Sequence, residues 1–160
     1  MKHAYQGDNA SLTQMLGRAV LAGIAGSVVM TAFQKLVEMP ITKREDSYAP
    51  AQLAQRLLPI EPKNDKERWR LNYAAHTSLG AMWGAAYGVA AYKGLRGMPA
   101  IAVTFAAIYT SDVVNITLLG LAKPWKWSRQ EWVIDLVDKF VQVLATSVIF
   151  DHLLDPERPS

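Results

Sequence analysis

The chain has 160 residues, with 17 Lys and Arg against 14 Asp and Glu, a formal charge of +3 and no cysteine. The lack of cysteine excludes a disulfide framework, a thiolate metal site and a cysteine nucleophile, and leaves the redox compartment unspecified. Mean hydropathy is only +0.05, but the charges gather in loops and at segment ends, leaving four long stretches that carry few or none.

The first stretch, Ala19 to Gln34, is flanked by Arg18 and Lys35, whose aliphatic stems can snorkel and extend a short span to residues 16–37. It starts late and lacks a small-x-small cleavage site, so the expectation is an uncleaved helix rather than a signal peptide. Ala19, Gly23, Ser27 and Thr31 recur at every fourth position and give this helix one small face. In the loop that follows, the pattern predicts an amphipathic surface helix over residues 48–58. Asp46 and Ser47 are its candidate caps, Pro50 suits its first turn, and Leu53, Ala54, Leu57 and Leu58 recur at helical spacing before Pro59. Lys63 to Arg70 reads as a charged lead-in to the next span.

The second span, residues 71–92, has no formal charge over a length that crosses the roughly 30 Å of a bilayer core. Gly80, Gly84 and Gly88 form a G-x-x-x-G-x-x-x-G stripe, and His76 extends it one turn upstream. Between helices in lipid the hydrophobic drive is small, and such residues let backbones approach closely. The two small faces therefore predict an antiparallel pair of the first and second spans, with a homodimer through the glycine face as the alternative. The third span, residues 98–121, holds one charge, Asp112, beside a line of Thr104, Ser111 and Asn115. In the fourth, residues 132–153, Asp135, Asp138, Lys139, Gln142 and Thr146 fall within about 100° of a helical wheel and leave the rest apolar.

The elements predict an all-α fold: one integral membrane, up-and-down four-helix bundle over residues 1–160, with a short amphipathic surface helix in the first loop. That order puts His76, Asp112, Asn115, Asp135, Asp138, Lys139 and Gln142 in the same half, as a polar intramembrane cluster. Ionisable groups inside a membrane are candidates for ion or proton pathways, because partners, water or a transported ion must offset their desolvation. The competing role is a satisfied network, including an Asp135–Lys139 pair at i, i+4, that fixes the register of the helices. The expected function is that of an accessory or stress-related inner-membrane component built around this network. A small transporter or proton/ion conductor is the alternative.

Basic residues crowd the side of the first loop (Lys35, Lys43, Arg44, Arg56, Lys63, Lys66, Arg68, Arg70) and the third (Lys123, Lys126, Arg129). The opposite side has Lys2, Arg18, Lys93, Arg96 and Arg158. The positive-inside tendency then puts both richer loops in the cytoplasm and both termini outside, with Trp69, Tyr73, Trp125, Trp127 and Trp132 as an aromatic belt. Anionic lipid headgroups are the expected partner of the basic loops, beside a membrane-protein partner or a second copy. Nucleic acid is not expected, since no recognition fold accompanies the charge.

No catalytic residue and no metal site is expected: there is no His/Glu ligand spacing, no phosphate-binding glycine loop and no nucleophile elbow. Ser78 and His76, two apart on a helix, face different ways. No cofactor is expected either. His76 and His152 lie on parallel helices, roughly 20 Å apart along the membrane normal, too far to share a haem, and His3 sits in a polar terminus.

The pattern His76-x-x-x-Gly80-x-x-Trp83-Gly84-x-x-Tyr87-Gly88 resembles the second span of small, poorly characterised bacterial inner-membrane proteins of the YagU-like family. The likeness extends loosely to Ala49, Pro50 and Ala51 and to Asp135. It implies a four-span bacterial membrane protein and supplies no substrate. That family pattern has a histidine in the last span about where this chain has Lys139, so no His–His arrangement follows for this chain.

Overall fold

The computed structural model describes residues 9–155, so Lys2, His3 and Arg158 lie outside the described residues. Among the described residues the chain is helical, with no strand. Helix α1 spans Asn9–Phe33 and passes through a π-helical turn, Gln34–Glu38, into α2, Met39–Thr42. The wide turn has a local cause. Pro40 lacks an N–H and its ring crowds the carbonyl one turn back, and the Met39 N–H reaches past it to the Gln34 carbonyl instead. Lys43, in the left-handed conformation at φ 57°, ends α2.

Helix α3, Ala49–Leu57, has Pro50 in its first turn, but neither Asp46 nor Ser47 caps it in the ordinary sense. Ser47 Oγ accepts from the Ala49 N–H at 3.3 Å, and Asp46 pairs with Lys35. The helix docks on the following one through Ala51, which is fully buried and donates its N–H to Asn72 Oδ1 at 3.1 Å. Leu57 and Leu58 remain exposed.

Helix α4, Asp65–Tyr92, begins earlier than the uncharged run, because Asn64 caps it by accepting from the Glu67 N–H at 2.9 Å. The charged lead-in is thus its first turns. A tight connection with Gly94 (φ 86°) and Gly97 (φ 55°) leads to α5, Gly97–Leu118. After a short turn at Pro124–Lys126, α6 covers Arg129–Ile149 and ends in a second π-helical turn, Phe150–Leu154.

A reciprocal capping box starts α6: Ser128 Oγ accepts from the Glu131 N–H at 3.2 Å, and Glu131 Oε2 accepts from the Ser128 N–H at 2.6 Å. Hydrogen bonds from the Ser128 backbone and side chain hold the Glu131 carboxyl below its ordinary 4.5. A depressed carboxyl stabilises the fold above its unfolded pKa, and that contribution is lost as pH falls through the folded value. Glu131→Gln should therefore melt below wild type at pH 7. The gap should close on acidification below about pH 4, and a gap that stays constant with pH would contradict this.

The four long helices touch in a defined order, α1 against α4 and α6, and α5 against the same two. Close approach of α1 and α4 follows from their small residues: a Cβ added to Gly80 would lie 2.6 Å from Ser27 Oγ and 2.8 Å from the Gly23 carbonyl oxygen. Higher numbers on α4 meet lower numbers on α1, with Gly84 against Ala19 and Gly23 and Gly88 against Ala19, so the pair is antiparallel. On its other flank α1 presents Gly26 to α6, where a Cβ would be 2.9 Å from the Gln142 carbonyl oxygen.

Large apolar side chains lie both inside and outside: Met30, Trp83, Tyr87, Ile101, Val143 and Phe150 are buried, while many leucines and valines are exposed. Buried positions include Ala19, Ala22, Ala90, Ala91 and Ala100 together with polar Ser27, Thr104, Gln142, Thr146 and Ser147. Leu21, Val28, Leu36, Val103, Leu118, Val133, Val148 and Leu153 face outward. Aromatic rings fill the seam between α4, α5 and α6: Phe105 stacks on Tyr109 at 5.1 Å and meets the edge of Phe140 at 5.9 Å. Two helices, Leu12–Thr42 and Gly97–Leu118, are long and apolar enough to cross a membrane. The expected spans at 71–92 and 132–153 fall short of that measure, since α4 is diluted by Gly, Ser, His, Trp and Tyr and α6 by its charges.

Candidate functional site

Two charged assemblies occupy opposite ends of the helices. At the end where α1 runs into α2, the π-turn puts Glu38 inside, 6% exposed. Its Oε2 accepts from Arg44 Nε at 2.7 Å and its Oε1 from Thr42 Oγ1 at 2.6 Å. The same guanidinium reaches Asp138 Oδ2 of α6 at 3.2 Å, and Gln34 Nε2 donates to that oxygen at 2.7 Å. One cation thus serves two carboxylates. A second such trio lies alongside: Lys139 Nζ stands 2.5 Å from Asp112 of α5 and 2.8 Å from Asp135, one turn back on its own helix. Its ammonium also sits 5.1 Å from the centroid of the Tyr109 ring.

Asp112, Asp135, Lys139, Arg44 and Asp138 line one cavity of about 460 Å³ that is also bounded by His76, Gln142, Met30, Leu79 and Trp83. That volume lies within the ordinary range for a small-molecule site. Two side chains on its wall keep an unused hydrogen-bonding atom although they are almost wholly buried. Asp138, 5% exposed, has no partner at Oδ1, and Gln142, 4% exposed, has none at Nε2. Buried polar groups are ordinarily satisfied, because an unmet donor or acceptor costs about 1–3 kcal/mol.

His76, Asp112, Asp135, Asp138, Lys139 and Gln142 are thus brought to one cavity, and Asn115 is not. Asn115 is exposed on α5 and donates to Ser111 Oγ at 3.3 Å. The reason is the way α5 is held: it is buried at Ala100, Ile101 and Thr104, and farther along Phe105, Ile108, Tyr109, Asp112 and Ile116 turn inward, so Ser111 and Asn115 fall on the outer face. His76 reaches α1 rather than a carboxylate, with Nε2 3.3 Å from Thr31 Oγ1. Ala19, Gly23, Ser27 and Thr31 meet Gly80, Gly84, Gly88 and His76 along the α1–α4 seam.

The opposite end carries a network that reading the chain for spans did not reveal. Arg96, in the α4–α5 connection, binds Asp151 at 3.0 Å and Asp155 at 2.5 Å, and Arg18 of α1 reaches Asp155 at 2.8 Å. Burial opposes the charge on Arg96, but hydrogen bonds and attraction from Asp155 and Asp151 outweigh it and raise its pKa. Asp151 Oδ2 also accepts from the Tyr87 hydroxyl at 2.6 Å and from the Gly97 N–H at 3.0 Å. All four long helices are tied to these two carboxylates. The available signal was Asp151 in the last turn of an apolar helix, opposite Arg96 of a short connection. Glu38 and Arg44 had a similar signal, a carboxylate two residues before a proline with a basic residue close behind.

Among the described residues, no group of three His, Cys, Asp or Glu is arranged to hold a metal ion. The chain matches no family model, no curated protein and no solved structure.

Proposed function

We propose that the chain is a small integral membrane protein of the bacterial inner membrane, whose α1, α4, α5 and α6 form an up-and-down four-helix bundle. The observation that carries this reading is the number of leucines and valines that face outward, around an interior where Trp83, Tyr87 and Phe150 lie among alanines, glycines, hydroxyls and paired charges. In hydrocarbon that arrangement removes polar groups from lipid and lets close-packed small residues supply the contacts. The resemblance of the His76–Gly88 pattern to the YagU-like family supports the same location. Outward Leu57, Leu58, Ile60 and Trp125 near the basic loops suit the bilayer interface and its anionic headgroups. On this reading the protein serves as an accessory or stress-related component, and its charged trios pin the register of the helices.

Because the chain has no cysteine, its topology is open to a clean test. Glu45→Cys should react with a membrane-impermeant maleimide only from the cytoplasmic side, and Lys93→Cys only from the outer side. Labelling of both from one side, or release of the protein by alkaline carbonate without detergent, would remove the four-span reading.

The cavity favours a second role, a small transporter or proton/ion conductor. Each trio has two carboxylates for one cation, and Asp112, Asp135 and Asp138 all line the cavity. Proton and cation flux in liposomes decides between the roles. Conduction predicts flux that falls at least tenfold in Asp112→Asn and Asp138→Asn. No flux from well-folded wild type would leave the accessory role, and a search for copurifying membrane proteins would follow.

A further inference from the structure

We propose that the cavity and a groove on the outer side of α1 and α4 together bind a single-chain lipophilic cation, a long-chain quaternary ammonium in chemical class, with its head in the cavity and its chain in the groove. The inference rests on the transport reading above and names the substrate class and its way in.

The two spaces share a wall. A groove of about 270 Å³ lies between α1 and α4, with Val28, Ala32 and Thr77 exposed along it. On α1 it extends from Lys35 to Ser27, about 12 Å at the rise of an α-helix, so it leads from the basic end of the span toward its middle. Thr31, Lys35, Tyr73 and His76 line this groove and the cavity alike. The partition at that level is made by side chains, with His76 Nε2 3.3 Å from Thr31 Oγ1. One turn deeper it is made by backbone, since a Cβ on Gly80 would lie 2.8 Å from the Gly23 carbonyl oxygen. The seam is thus sealed at Gly80, whereas at His76 it can part by rotation of one ring with neither helix displaced.

Charge and surface chemistry then narrow the occupant. Five carboxylates line the cavity against three cations, Lys35, Arg44 and Lys139. A hollow of net negative charge between low-dielectric walls concentrates cations. Tyr73, Trp83 and Trp127 add aromatic rings to the lining, and aromatic faces attract quaternary ammonium groups. Outside the partition, Val28 and Ala32 offer a hydrocarbon chain an apolar bed that faces the lipid in the four-span reading. An inorganic cation would leave the groove empty, and an anionic amphiphile would set like charge against the carboxylates. A long-chain ammonium fills both spaces and, being dissolved in the bilayer, arrives from the side on which the groove lies.

Three probes separate the charge of the head from the chain: decyltrimethylammonium, decyl sulfate and tetramethylammonium. Calorimetric titration into full-length protein in lipid nanodiscs, with titration into empty nanodiscs subtracted, should find the first binding at least tenfold more tightly than either of the others. Ala32→Trp fills the groove from an exposed position that does not line the cavity. It should weaken decyltrimethylammonium at least tenfold and leave tetramethylammonium unchanged. Thr77→Trp, on the α4 side of the groove, should do the same, and it tests the idea even if the Ala32 variant does not fold. Equal affinity for decyltrimethylammonium and decyl sulfate, wild-type affinity in a folded tryptophan variant, or no heat beyond the nanodisc blank would overturn the proposal. Proton flux in liposomes without probe binding would sink the ligand class and leave conduction standing. Loss of the membrane topology would remove both.

Discussion

Gly84→Leu is expected to lower the melting temperature in detergent by roughly 6–12 °C, about 3 kcal/mol at the upper end of overpacking effects. The cause is the identity of the neighbours. A Cβ at Gly84 would fall 2.9 Å from both Cα and N of Gly23 and against the Ala19 carbonyl oxygen. These are backbone atoms of a helix held on its other side by α6 at Gly26, so neither a rotamer change nor a small shift relieves the overlap. Gly17→Leu is the matched control, because a Cβ there meets nothing within 4 Å and the position is exposed. The comparison isolates packing from helix propensity, which favours leucine at both sites. Equal stability of the two variants would show that α1 and α4 do not depend on this seam.

Lys139→Met should cost still more, about 3–5 kcal/mol, the range for removing one partner of a buried ion pair. The ammonium is the only cation within salt-bridge distance of Asp112 and Asp135 among the described residues, and all three side chains are largely withdrawn from solvent. Methionine keeps the length of the stem but leaves both carboxylates without a counter-charge. Adding Asp112→Asn and Asp135→Asn should restore most of the loss, since the cost lies in the stranded charges rather than in the missing contact. A triple variant as unstable as the single one would mean that lysine acts by packing. A single variant as stable as wild type would mean that water reaches the trio freely.

Helix content was legible because hydrophobic runs longer than a strand admit little else, and the small faces of α1 and α4 were legible because Gly and Ser at every fourth position leave a visible stripe. The alignment of Asp135, Asp138, Lys139 and Gln142 was readable from the same 3.6-residue period, since all lie on one helix. What could not be read was which partner each charge takes. Arg44 served only to orient the chain, yet the π-turn ahead of Pro40 carries Glu38 inward, and a loop arginine then bridges it to Asp138. Asn115 shows the converse: its spacing from Ser111 placed it on the polar line beside Asp112, but the rotation of α5 is set by burial of Ala100, Ile101 and Thr104, distant in sequence from it. The carboxylates at the far end were missed for a different reason. Asp151 and Asp155 sit where a span's last turn becomes a loop, and charges there look solvated until Tyr87, Arg96 and Arg18 are seen around them.

That far-end knot makes the molecule a spring with one end clamped. Arg18, Tyr87, the Arg96–Gly97 segment and the Asp151/Asp155 pair bind the four long helices to a single point. The cavity end is joined helix by helix, through Gln34, Arg44, Lys139 and His76. In the four-span reading, stiffness is graded across the membrane, so sideways pressure from the lipid tails would change the splay at the cavity end while the knotted end stays fixed. Thinner or more loosely packed bilayers would then act on the volume of the cavity itself, and the tightness of what it holds would depend on the lipid around it.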